Sequence, residues 1–275
     1  MSALTHLRAR AARTRLRRPL ASLRHLGLDH ADVFLASYPR SGNTMLRFML
    51  VEALTGLPSS FDQIQEIVPE IGVHVNARQV VPGGGRLIKT HEPYRGEYRR
   101  GIYIIRDVRD VMLSSFARES ALDVLHIRSI DKYVLPFMQG KMTRFGSWQG
   151  HIDGWLNSPL AKNGDLLVVR FEEMRKDLAG TVARCLEFLG KKVDWDAIHN
   201  AVRNNSLNRM RAKEDRAKTL PKSPGKEGRW IGKGSVHGWR EKLTERQVQI
   251  VDEYAGDMLV SLGYATTIGA QAAGR

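Results

Sequence analysis

Four short segments that are apolar on both faces constrain the fold more than any other feature of this chain. They are residues 33–38 (Val-Phe-Leu-Ala-Ser-Tyr), 87–90, 101–106 (Gly-Ile-Tyr-Ile-Ile-Arg) and 166–171 (Leu-Leu-Val-Val-Arg-Phe). Runs this short read as strands, and a strand buried on both faces belongs to a parallel sheet with helices on either side. Apolar residues at helical spacing follow the first run from Thr44 through Leu54, where Gly56 and Pro58 close the helix. A second helix opens at about Asp107 and runs to about Glu119, helical patterns cover 172–190 and 194–204, and a last long helix starts at Thr244 and ends before Gly263. Strands alternating with helices predict an α/β fold of three layers around a central parallel sheet. The expected organisation is a basic arm at 1–30, one domain over 31–264 and a flexible tail at 265–275, with a Pro/Gly/Lys-rich loop at 219–238.

At 275 residues the chain can bury a full core, and its 42% apolar and 26% charged residues exclude fibrous, disordered and membrane-spanning classes. The net charge of +14 is concentrated in two places. Residues 1–30 hold seven Arg and one Asp, and residues 205–235 hold nine Lys/Arg and three acids. The rest of the chain is close to neutral, so the sequence carries two local basic devices. The first lacks the apolar core of a secretory signal and reads either as a solvated surface helix or as a membrane-surface or targeting arm. A single cysteine, Cys185, excludes an internal disulfide and points to a reducing, cytoplasmic compartment; its apolar helical setting marks it as a buried hydrophobe.

The junction after the first strand carries the chemistry. Pro39-Arg40-Ser41-Gly42-Asn43-Thr44 leads straight into a helix, so successive backbone N–H groups and a helix N-terminus surround one point, where a phosphate can sit. Gly42 permits close approach, Thr44 adds a hydroxyl and Arg40 a cation. The triphosphatase fingerprint G-x-x-x-x-G-K-[ST] is absent from the chain, which argues against an ATP-using kinase or phosphotransferase. Lys89 and His91 lie two residues apart at the end of the second strand and point the same way, so both can face one cleft. An imidazole titrating near 6.5 suits a general base for an acceptor hydroxyl. Arg106 ends the third strand and Ser114 lies two turns into the next helix, while Arg109 is placed on that helix's solvated face.

Ser37-Tyr38-Pro39-Arg40-Ser41-Gly42-Asn43-Thr44 resembles the 5′-phosphosulfate loop of the sulfotransferases that use 3′-phosphoadenosine 5′-phosphosulfate (PAPS). The run from Ile104 to Ser114 is similar to that family's 3′-phosphate site, Lys89-Thr90-His91-Glu92-Pro93 to the element carrying its catalytic His, and Lys233-Gly234 followed by Trp239 to its nucleotide-closing loop. Trp148 and Trp155, and Arg170 to Met174 including Phe171, also match family segments. The resemblance implies a P-loop-like fold and transfer of a sulfuryl group from PAPS to an acceptor hydroxyl, or an amine, without a metal. It assigns His91, Lys89 and Arg40 to catalysis. Donor binding falls to Arg40, Ser41, Gly42, Asn43, Thr44, Met45, Arg106, Ser114, Phe171, Leu207, Arg229, Lys233 and Gly234.

Several positions depart from the family pattern. Arg40 stands where many members have Lys, and Met45 and Leu207 replace aromatic residues around the adenine. Gly232 takes the place of an Arg, for which Arg229 is the candidate substitute. The dimer motif is poorly kept: Arg240 and Thr244 fit it, whereas Glu245 and Gln249 do not, and no dimer is inferred. The stretch 205–235 is expected to form a mobile lid over the nucleotide. Segments 60–85 and 120–145 (Phe61, Ile64, Ile67, Val68, Tyr133, Phe137, Met138) are expected to line a pocket for a small-molecule, lipid or carbohydrate acceptor. A nucleic-acid-binding role, the alternative that the charge suggests, is disfavoured by its segregation and by the lack of a recognisable motif.

Overall fold

The structure, a computed structural model, describes residues 23–122, 126–220 and 229–266. Most of the basic arm, the middle of the loop 219–238 and nearly all of the tail expected from the sequence lie outside the described residues. The chain runs β1 (Val33–Ser37), α1 (Asn43–Thr55), α2 (Ile64–Ile67), β2 (Leu87–Thr90), β3 (Arg100–Ile105), α3 (Val108–Ala121), α4 (Ile130–Met138), α5 (Trp148–Leu156) and α6 (Pro159–Asn163). It continues through β4 (Leu166–Arg170), α7 (Phe171–Lys176), α8 (Leu178–Phe188), α9 (Trp195–Asn204), α10 (Leu207–Arg216), a 3-10 turn at Gly238–Glu241 and α11 (Glu245–Ser261).

The four strands form one parallel sheet in the order β2-β1-β3-β4. Alternate residues of β1 enter opposite cores. Val33 and Leu35 join Leu46, Met49 and Val182 on the face covered by α1 and α8. Phe34 and Ala36 join Val111, Phe137 and Trp155 on the face covered by α3, α4 and α5. Each such side chain stabilises the fold by roughly 1.5–3 kcal/mol, so losing one weakens only one of the two cores. The helix after β1 covers one face and the helix after β3 the other, which opens a crevice beyond the carboxyl ends of these neighbouring strands.

Two departures from the sequence reading are local. The single helical pattern at 172–190 is two helices, because the Asp177 backbone leaves the helical region and its carboxylate accepts the Gly180 N–H at 2.8 Å to start α8. Part of the expected mobile lid is α10, held against α1 by Lys213, which donates to Glu52 at 2.8 Å. Thr244 does cap the last helix, in a reciprocal pair with Gln247.

Candidate active site

The loop from β1 to α1 reaches its shape through two left-handed residues, Arg40 at φ 69° and Gly42 at φ 95°. Only glycine fits the second position, since a Cβ there would lie 2.5 Å from Cδ2 of Phe171. The Asn43 side chain turns inward and donates to the Leu35 carbonyl at 3.1 Å and to Ser37 Oγ at 3.3 Å, which fixes the loop to its strand. Ser41 Oγ is buried in the loop with no partner. Arg40, Gly42, Asn43, Thr44 and Met45 line a cavity of about 1190 Å³ at the carboxyl edge of the sheet.

The end of β3 faces this loop. Arg106 donates from Nη1 to the Arg40 carbonyl at 2.8 Å and from Nη2 to the Ser235 carbonyl at 3.0 Å, with its guanidinium 4.3 Å over the Phe171 ring. Its Nε is buried without a partner. Arg40 Nε donates to Ser114 Oγ at 3.0 Å and its Nη1 to the Trp230 carbonyl at 3.3 Å. The fold therefore brings Arg40, Arg106, Ser114 and Phe171 to one end of the cavity, where Leu207, Arg229, Lys233 and Gly234 also line the wall. Burial, with Arg118 and Arg106 nearby, lowers the Arg40 pKa to about 10, so it remains charged near neutral pH.

One expectation about this end is corrected. Arg109 is buried, not solvated: it is paired with Asp107 at 2.7 Å, stacked 3.8 Å under Trp239, and donates to the Ala265 carbonyl at 2.8 Å. Residues more than 120 positions away cover its helix face, which no local pattern reveals. Arg229 is tied to Asp215 at 2.8 Å. Two arginines that the sequence reading missed, Arg175 and Arg211, line the cavity, and Arg211 keeps a buried Nε without a partner. The cavity wall counts ten Lys/Arg side chains against four carboxylates. Together with the buried unpartnered donors of Ser41, Arg106 and Arg211, this fits a small, multiply charged anion.

At the other end, β2 delivers Lys89 and His91. Lys89 lies 3.7 Å from Glu70, and burial lowers its pKa to about 8. His91 Nδ1 lies 2.8 Å from the Ser37 carbonyl, which can only accept. The proton is therefore on Nδ1, and Nε2 keeps its lone pair. Burial, with Lys89 beside it, holds His91 well below the usual histidine range, so it is neutral at pH 7 and not half-titrated near 6.5 as the sequence suggests. The ring packs edge-on to Phe145, 5.9 Å between centroids.

A second histidine supports the first. His151, on α5, donates from Nε2 to the His91 carbonyl at 3.1 Å and accepts at Nδ1 from the Tyr103 hydroxyl at 2.7 Å. Burial lowers its pKa to about 4. The sequence marked Trp148 and Trp155 in this helix but passed over His151, one turn from each. Met142, Thr143, Arg144, Leu122 and Glu70 also line the cavity. Most of the apolar residues expected there are elsewhere: Phe61, Ile64 and Val68 are buried in one core, and Tyr133, Phe137 and Met138 in the other. Their apolar character served packing rather than an acceptor.

The family model described as Sulfotransferase domain matches residues 30–263. Mouse Sulfotransferase 2B1 is 27% identical over 236 residues, covering 80% of this chain and 69% of its own length. Mouse Sulfotransferase 2A6 is 25% identical over 246 residues, covering 83% and 84%. The solved structure of retinol dehydratase in complex with androsterone and inactive cofactor PAP has a TM-score of 0.69 at 21% identity, over 88% of this chain and 85% of that one. Mouse sulfotransferase SULT7A1 complexed with PAP gives 0.66 at 22%, over 87% and 88%. The fold likeness confirms the three-layer, P-loop-like architecture. Since the family match spans the sheet, the phosphate-loop junction, the Lys89–His91 pair and the residues that close the cavity, the chain belongs to the sulfotransferase domain family.

Proposed function

We propose that His91 is the general base of a sulfuryl transfer from PAPS to an acceptor hydroxyl, or less readily an amine, carried out in one domain over 31–264. The observation that carries this reading is the fixed tautomer: a neutral imidazole with its Nε2 lone pair in the same cavity as a phosphate-type loop. PAPS supplies the sulfuryl group, and charge builds on its bridging oxygen as the bond to sulfur breaks. The loop N–H groups, Thr44, Arg40 and Lys89 stabilise that charge, and His91 Nε2 takes the acceptor's proton. Arg106 and Ser114 hold the 3′-phosphate, Phe171 and Met45 border the adenine, and Lys233 and Gly234 close over the nucleotide. The second basic stretch thus meets one nucleotide, and the alternatives of an ATP-dependent kinase and a nucleic-acid binder are not supported.

His91→Ala should lower turnover by roughly 10²–10⁴-fold while PAP still raises the melting temperature, with ATP raising it much less. Full activity in that variant would remove His91 from the mechanism. The reading also places the protein in the cytoplasm, in keeping with the free, buried Cys185 thiol, and gives the basic arm contact with an anionic surface. Among the described residues no helix is long and apolar enough to cross a membrane.

A further inference from the structure

Four of the most exposed large apolar side chains belong to two segments that lie against each other. Leu23 and Leu26 are 59% and 62% exposed, and Val73 and Val75 are 63% and 61% exposed. Arg24 donates to the Ile71 carbonyl at 2.6 Å and its side chain covers Gly72. Arg86, buried in a pair with Asp32, donates to the Gly27 carbonyl at 2.7 Å and to the Val75 carbonyl at 3.2 Å. One guanidinium thus fixes both segments, and the apolar side chains project from a rigid base.

This face adjoins the His91 end of the cavity. Arg24 pairs at 2.6 Å with Glu92, the neighbour of His91. Glu70 lines both the active cavity and a small cleft of about 230 Å³ shared with Arg24, Ile71 and Val73. The chain that leads into Leu23 is residues 1–22, which hold six Arg and no Asp or Glu. Six cations therefore precede, in sequence, the first residue of the apolar patch. That pairing of a cationic segment with exposed Leu and Val is the recognition chemistry of an anionic lipid surface.

We propose that this face docks on an anionic bilayer, with Leu23, Leu26, Val73 and Val75 entering the headgroup boundary and the arginines of 1–22 attracted to the headgroups. The His91 end of the cavity then lies beside the bilayer. The proposal is independent of the sulfuryl-transfer reading, because its test measures only association.

The full chain should pellet with vesicles of phosphatidylcholine containing phosphatidylglycerol, but not with phosphatidylcholine alone, and high salt should weaken the binding. The double variant Leu26→Asp/Val73→Asp should bind at least about tenfold more weakly with an unchanged melting temperature, since both side chains are exposed. The quadruple variant Arg13→Gln/Arg15→Gln/Arg17→Gln/Arg18→Gln should bind at least about a hundredfold more weakly. Failure of the full chain to bind, which would also result if residues 1–22 or an acidic protein covered the patch, overturns the proposal. So does undiminished binding by either variant.

Discussion

Lys89 offers the sharpest test of the chemistry, because its role requires a charge that its burial makes difficult to hold. Desolvation brings its pKa to about 8, with Glu70 at 3.7 Å opposing the shift. Such a lysine is roughly nine-tenths protonated at pH 7 and roughly one-tenth at pH 9, so kcat/KM for the donor should fall about tenfold between those values. This ratio reports the free enzyme. In kcat, the bound anion favours the ammonium and the same limb should move to higher pH. The acid limb belongs to His91, which must be neutral to accept a proton; it should lie below 6.5, since burial lowers its pKa. The assay is initial-rate sulfuryl transfer at varied donor concentration across pH 5–10. Lys89→Arg keeps a fixed charge and should abolish the basic limb, whereas Lys89→Met should lower the rate at every pH. A limb near 8 that survives in Lys89→Arg would refute the assignment, and so would a flat wild-type profile from 7 to 9.

The remaining predictions concern individual side chains. Arg106→Ala removes charged hydrogen bonds of roughly 1.5–3 kcal/mol each, so PAP affinity measured by calorimetry should drop at least about tenfold. Arg211→Ala should lower PAP affinity more than Arg229→Ala, because Arg229 already pairs with Asp215 whereas Arg211 keeps a buried free donor. His151→Phe should lower kcat by about tenfold, the worth of one displaced hydrogen bond, with the donor KM unchanged. It should also reduce acid sensitivity: the folded pKa of His151 is depressed to about 4, so the unfolded chain takes up a proton that the fold does not, and stability falls as pH drops from about 6.5 toward 4. Melting curves across that window check the sign.

The sheet was legible because its strands are apolar on both faces, and the donor end because its parts are contiguous in sequence: a strand, a turn with Gly42 and a helix start. Arg106 and Ser114 were legible for the same reason. Features built from distant segments were hidden. Arg109 looked solvated because Trp239 and Ala265, which bury it, lie far along the chain. Phe61 and Tyr133 looked like pocket residues because composition cannot distinguish an apolar pocket from an apolar core. His151 carried no signal, since its meaning depends on which carbonyl its ring reaches. The lowered pKa of His91 likewise follows from burial, which a single sequence does not display.

The segment that carries Lys233 is held on either side by carboxylates. Glu214 accepts the Trp230 and Ile231 N–H groups at 2.7 and 3.0 Å, and Asp110 accepts those of His237 and Trp239 at 2.8 and 3.1 Å. Between these anchors lie residues 232–236, which include Lys233 and Gly234. Ordering a residue costs roughly 1–2 kcal/mol in chain entropy, so closing a free 31-residue lid over 205–235 would cost on the order of 30–60 kcal/mol, more than any nucleotide's contacts return. With 230–231 and 237–239 tied, the five residues between these anchors cost roughly 5–10 kcal/mol or less to order. Two carboxylates, Glu214 within the basic stretch and Asp110 on α3, thus reduce the entropy lost when Lys233 and Gly234 close on the donor.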